Sequence, residues 1–192
     1  MRLHTHKKGL RALGMAESFQ KGRSVQSQLA GVVMRGDLLI DGFALETITV
    51  GGLDATEGVL RLCEGLERRD INLILLNGCV ISWYNIIDLE AVYEALGIPL
   101  VCVTYEESEG LEKYFREFED GEERIEIYKR LGKRMPIKLR TGHEVLVRHY
   151  GMEDDKEAKR ALDMFTLQGA VPEPLKVARL LARAAMKKTM AN

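Results

Sequence analysis

The chain has 192 residues with 28 basic and 29 acidic side chains. That length suits one α/β domain burying about 70% of its unfolded surface, so we expect a single domain over residues 1–192. Near-zero net charge excludes bulk electrostatic attraction to nucleic acid, so any such role must rest on a local patch.

The basic N-terminus, with His4 and His6, has no apolar run behind it and reads as neither signal peptide nor membrane anchor. Cys63, Cys79 and Cys102 lie in hydrophobic runs without C-x-x-C spacing. We therefore expect three reduced, buried thiols in a cytoplasmic protein.

The first predicted strand runs from Arg11 to Ser18, its small residues marking a crowded position. A second covers Leu29 to Met34 and a third Leu38 to Val50, joined by a turn at Arg35-Gly36-Asp37, giving an antiparallel meander. A helix then starts at Asp54, which suits the N-cap, with Glu57 at the reciprocal position of a capping box. The apolar run Ile71 to Leu76 reads as a buried strand at the centre of the sheet. Its end carries Asn77 and Gly78, the kind of strand end where open α/β sheets place their sites.

A second helix from about Ile86 is stopped by Gly97, and Ile98 to Val103 is a short parallel-type strand. Beyond Tyr105 come two amphipathic helical pieces, Leu111 to Phe118 and Glu122 to Leu131. A strand at His143 to Tyr150 follows, then helices at Asp154 to Gln168 and Glu173 to Lys188. The order predicts an α/β fold of ribonuclease H-like type: a mixed sheet, three antiparallel strands and then parallel ones, flanked by helices.

Four separated motifs carry a resemblance: Gly14 to Phe19, Ile48 to Glu57, Leu75 to Gly78, and the proline-glutamate-proline stretch within Val171 to Arg179. Together they resemble an uncharacterised, mainly archaeal family called domain of unknown function ninety-nine, related to endonuclease V. The resemblance implies a magnesium-dependent nuclease ancestry in which carboxylates converge from the first strand, a neighbouring segment and the central strand. Here the first aspartate falls on Ala16, the central one on Asn77, and an acid is also expected at Gly51. Glu17 survives beside Ala16 but should face away from it unless a bulge turns the strand.

The resulting expectation is a degenerate endonuclease V-like site that binds nucleic acid or a nucleotide without efficient cleavage. The alternatives are an active Mg²⁺-dependent endonuclease using Glu17, Asp54, Glu57 and Asn77, and a structural or partner-binding protein, including a homo-oligomer. Mg²⁺ enters only if the site is active. Lys176, Arg179, Arg183 and Lys187 line one face of the last helix, opposite Val177, Leu180, Leu181 and Ala184; they form a phosphate-contacting stripe or an ordinary solvated face. Trp83 and Tyr84 either stack on a base or cover the sheet edge. Asp88 is read as a helix cap, and His143 and His149 as packed or surface histidines.

Overall fold

The computed structural model describes residues 9–106 and 110–191. His4 and His6 lie outside the described residues. Seven strands form one sheet in the order β3-β2-β1-β4-β7-β9-β8. β1 (Arg11–Ser18), β2 (Gln26–Arg35) and β3 (Ile40–Thr49) make the expected antiparallel meander. β4 (Leu73–Asn77) pairs parallel to β1 on one side and to β7 (Leu100–Thr104) on the other, and so occupies the middle of the sheet. β9 (Glu144–Tyr150) then runs antiparallel to β7, and a short edge strand, β8 (Met135–Lys138), completes the sheet. β8 escapes sequence reading because it has only four residues, one of them Pro136.

Side chains alternate across β4. Ile74 and Leu76 enter one core layer with Val59 and Leu62 of α1 (Ala55–Gly65) and Val92 of α2 (Leu89–Leu96). Leu73 and Leu75 enter the other with Leu162 and Phe165 of α5 (Asp155–Phe165) and Leu175 of α6 (Glu173–Ala191). The charged segment after β7 supplies a four-residue turn of helix, α3 (Glu112–Phe115), and then α4 (Gly121–Arg130). Both faces of the sheet are thus covered, as an apolar parallel centre requires. No helix among the described residues is long and apolar enough to cross a membrane.

Three expectations are corrected. Ile86 belongs to a small hairpin, β5 (Val80–Ile81) with β6 (Asn85–Ile86), and α2 starts only at Leu89 with Asp88 as its cap, accepting from the Glu90 and Ala91 amides. α6 buries Leu175, Ala178, Ala182 and Met186, while Leu180 is 65% exposed. Its rotation is set by close approach to β1: a Cβ on Gly14 would lie 2.5 Å from Pro174 Cβ, so the helix seats on its small residues. Cys79 and Cys102 are paired as a disulfide, with 6.1 Å between their Cα atoms; parallel pairing of β4 and β7 brings them together across 23 residues. Only Cys63 is a free thiol, and burial pushes its pKa up to about 12.

Candidate nucleic-acid interface

The C-terminal ends of β4 and β7 open into a cavity of about 340 Å³. Asn77 and Gly78 line it from β4, Thr104 and Tyr105 from β7, and Arg134 and Arg148 from the far side. Two buried polar atoms that find no partner among the described residues, Asn77 Oδ1 and the Tyr105 hydroxyl, belong to residues that line this cavity. An orphaned buried acceptor costs about 1–3 kcal/mol, so such atoms mark a place where something other than stability sets the sequence. Burial raises the Tyr105 pKa, opposed by the charge of Arg179.

The turn between β5 and β6 is strained. Ser82, Trp83 and Tyr84 all have positive φ, at 42°, 63° and 68°. Left-handed backbone costs about 1–2 kcal/mol for each such L-residue, so the surroundings must hold it in place. Arg124 does much of this. Its side chain, only 2% exposed, donates to the carbonyls of Gly51 (2.7 Å), Gly52 (3.0 Å) and Tyr84 (2.7 Å), and pairs with Asp120 at 2.6 Å. The Gly51 amide also donates to the Ser82 carbonyl at 2.8 Å.

Trp83 projects from this turn, 37% exposed, with Lys21 Nζ 3.8 Å from its ring centroid. Tyr84 instead stacks on Tyr114 and meets Phe115 and Phe118 edge-on, so it is a packing residue. Of the two aromatics singled out in the sequence, Trp83 is the exposed one.

The four acids and amides singled out in the sequence do not come together. β1 pairs with β2 without a bulge from Ala12 to Ser18, so alternation holds. Ala16 packs with Val32 and Ala178 on the α6 face, while Glu17 turns to the opposite face. There it accepts from the Ser27 hydroxyl (3.1 Å) and the Ser82 amide (3.4 Å), and burial raises its pKa against those two bonds. Asp54 occupies the N-cap position of α1 but makes no capping bond, so the expected capping box is absent. Its carboxylate reaches back to the Thr49 amide (3.0 Å) and hydroxyl (2.9 Å) and to Asn85 Nδ2 (2.7 Å). Burial pushes the Asp54 pKa up, but these hydrogen bonds outweigh it and hold the carboxyl below its ordinary value.

Asn85 is fully buried and takes over the cap, its Oδ1 accepting from the Ala55 amide at 2.9 Å. Glu57 is exposed in the first turn of α1.

Residues 8–186 match the family model described as endonuclease dU. The chain belongs to the endonuclease dU family. A UPF0215 protein of Pyrobaculum calidifontis is 41% identical over 172 residues, which is 88% of this chain and 93% of that protein. An Archaeoglobus fulgidus protein of unknown function superposes with a TM-score of 0.79 at 26% identity, over 92% of this chain and 98% of that one. The fold also matches Ciona intestinalis endonuclease V, solved with a 24mer DNA containing an inosine followed by a ribo-adenosine (TM-score 0.64, 15% identity, 95% and 88% coverage). The expected ribonuclease H-like, endonuclease V-related α/β fold is therefore present.

Set against the magnesium site that the endonuclease V likeness implies, this member of the endonuclease dU family is poorly equipped. Mg²⁺ takes oxygen ligands in near-ideal octahedral geometry. Among the described residues no three His, Cys, Asp or Glu side chains gather as a metal site. Both Asp54 oxygens are engaged by Thr49 and Asn85, and Glu17 lies across the sheet from the face of Ala16. Gly51 has φ +72°, a conformation that would strain an acidic side chain. The residues present do not fit the ion.

On α6, Lys176 is tied to Glu173 (2.6 Å) and to the Gln168 carbonyl (3.1 Å). Arg183 and Lys187 are exposed. His149 pairs with Asp155 at 2.9 Å, in line with a surface role.

Sequence reasoning missed Asn85 and Arg124. Asn85 had one signal, a lone amide inside the apolar run I-S-W-Y-N-I-I. Arg124 had none, because the carbonyls that bury it lie 40, 72 and 73 positions away.

Proposed function

We propose that this chain is a cytoplasmic nucleic-acid-binding protein that recognises deoxyuridine on an endonuclease V-like scaffold, with a degenerate metal site and no efficient strand cleavage. The observation that carries the reading is the cavity at the β4 and β7 ends, lined by Asn77, Gly78, Thr104 and Tyr105 together with Arg134 and Arg148. Its size falls within the roughly 300–1,000 Å³ of small-ligand sites, and two arginines stand in its wall. In this reading Trp83 stacks on a neighbouring base, and Arg179, Arg183 and Lys187 meet phosphates. The family's description supplies the deoxyuridine.

The second reading is cleavage at that base, with Glu17, Asp54 and Glu57 as the acids; the family's description as an endonuclease favours it. One experiment separates the two. Single strands carrying one deoxyuridine are titrated at two salt concentrations and then incubated with Mg²⁺ or Mn²⁺, beside Glu17→Gln. The binding reading expects affinity that falls steeply with salt, a slope shallower by roughly 0.7 for each cation removed in Arg183→Ala and Lys187→Ala, and intact strands. Cleavage by the wild type that is lost in Glu17→Gln overturns it in favour of the nuclease. Absence of binding at low salt overturns both.

A further inference from the structure

β3 is the outer strand at one edge of the sheet, so alternate backbone groups along it face away from β2. The Val50 amide, just beyond β3, donates to the Val25 carbonyl at 2.9 Å, and the register carries that phase along the strand. Ile48, Glu46, Ala44 and Gly42 bond inward to β2, while Thr49, Thr47, Leu45 and Phe43 turn their amides and carbonyls outward. Side chains cover both ends of this outward row. Asp54 takes the Thr49 amide, Asn85 the Thr49 carbonyl, Glu46 the Thr47 amide and Arg61 the Thr47 carbonyl. At the other end Arg68 donates to the Asp41 carbonyl. Between them, the outward amides and carbonyls of Phe43 and Leu45 have no partner among the described residues.

The side chains over this gap are apolar, Phe43 being 56% exposed and Leu45 52%. They stand opposite Val32 and Ala30, on the face where Val32 packs with Ala178 of α6. Soluble proteins blunt or cover such an edge, and here only its two ends are blunted.

We infer that the open centre is covered by a second copy of this chain, β3 pairing antiparallel with β3 of the other copy about a two-fold axis through Ala44. The open groups fix that register. Centred on Ala44, Phe43 meets Leu45 of the other copy and Leu45 meets Phe43, and each pair exchanges both of its hydrogen bonds. A centre on Phe43 or on Leu45 would set an open residue against Asp41 or Thr47, whose outward groups are already taken.

The side chains agree with the same axis. Each Phe43 lies beside a Leu45 on the α6 face, a favourable cross-strand pair. On the opposite face Ala44 meets Ala44, and small side chains suit the closer spacing of a pair without hydrogen bonds. Glu46 falls opposite Gly42, beside which Arg68 stands: a Cβ on Gly42 would lie 3.2 Å from Arg68 Nη1. Carboxylate thus meets guanidinium, and no like charges face each other across the strands. The other edge of the sheet, β8, has four residues and carries Pro136, which lacks an amide donor, so the pairing closes at two copies and does not run on head to tail.

Sedimentation velocity on the full chain, with no nucleic acid present, is the test. An interface of this extent is at the small end of specific ones, so the wild type is expected to pass from monomer to dimer between about 1 and 500 μM. Leu45→Lys places a charge on the open edge and should raise the dissociation constant at least about tenfold. Leu45→Pro removes only the outward amide, once in each copy, and should weaken the dimer by about tenfold while leaving the ladder to β2 intact. Circular dichroism should show both variants folded, and Phe43→Lys replaces either one that is not. Ala44→Cys should form a cross-linked dimer on mild oxidation, which wild type and Thr47→Cys should not, because only the two-fold centre brings identical residues within disulfide reach. A wild type that stays monomeric throughout overturns the inference. So does a dimer that survives both lysine variants, or one that Ala44→Cys fails to cross-link.

Discussion

Arg124→Met removes the clamp on the left-handed turn while keeping much of the side chain's length and apolar stem. Arg124 donates to three carbonyls, at 2.7, 2.7 and 3.0 Å, and all three lose a charged donor at once. Leaving buried acceptors unpaired costs about 1–3 kcal/mol each, and breaking a buried charged hub about 3–5 kcal/mol in all. Asp120, 37% exposed, returns to water and adds little. We take about 4 kcal/mol, which for a chain of this size lowers Tm by roughly 8–16 °C.

Trp83 is the only tryptophan of the chain and sits inside the turn, so its emission reports on this element alone. The variant should show a red-shifted Trp83 emission at temperatures where circular dichroism still reads a folded sheet. Arg124→Lys keeps the charge but loses the planar fork and should recover less than half of the stability. A Tm within about 2 °C of wild type together with unchanged emission would refute the clamp.

Glu17 and Asp54 are expected to respond to pH in opposite senses. Burial raises the folded pKa of Glu17, so its contribution is full below about pH 4.3 and is lost as pH rises through the folded value; Glu17→Gln should therefore be more stable than wild type at pH 7, with the gap closing below pH 4 in urea titrations. Asp54 has a lowered pKa, so Asp54→Asn should be destabilised at pH 7 and the loss should shrink as pH falls below about 4. Asn85→Leu removes the acceptor for the Ala55 amide and the donor to Asp54, and chemical denaturation should register a loss of about 2–3 kcal/mol. Cys63, with its pKa near 12, should resist alkylation at pH 8 until denaturant is added, as mass spectrometry would follow.

The sheet was legible because its strands are written in apolar runs. Val32, Val33, Leu73 to Leu76 and Leu100 to Val103 stand in segments whose period or continuity leaves little choice. The orientation of Glu17 was legible too, since alternation along a strand follows from backbone geometry alone. Other features depend on tertiary contacts that no local pattern encodes. Asp54 and Glu57 have the spacing of a capping box, yet Asn85, thirty positions away from Ala55, supplies the cap and leaves Asp54 to Thr49. The face that α6 buries is chosen by the contact of Pro174 with Gly14, so the larger apolar residues Leu180 and Leu181 lose the core to Ala178 and Ala182. The β5 and β6 hairpin is built from two-residue strands around a turn whose backbone glycine would suit better than Ser82, Trp83 and Tyr84.

The separation of Glu17 from Asn77 can itself be tested by restoring charge on the α6 face. Met15 pairs with Leu76 in the parallel ladder, so the next residues, Ala16 and Asn77, are lateral neighbours at the sheet end. Both follow the face of Leu75, which packs with Leu175 of α6. Carboxylates at both positions would stand side by side, whereas Glu17 cannot join them without a bulge that β1 lacks. Ala16→Asp/Asn77→Asp should therefore be less stable than wild type in chelator, because like charges meet where Ala16 is only 3% exposed. Divalent ions should reverse this: at a hundred times its dissociation constant a bound ion adds about 2.7 kcal/mol, or roughly 5–11 °C in Tm. Wild type should melt at the same temperature with and without Mn²⁺, and so should Glu17→Gln at its own. An ion-dependent rise in wild type that Glu17→Gln removes would mean that Glu17 reaches the site after all, and the face assignment that separates it from Asn77 would be wrong.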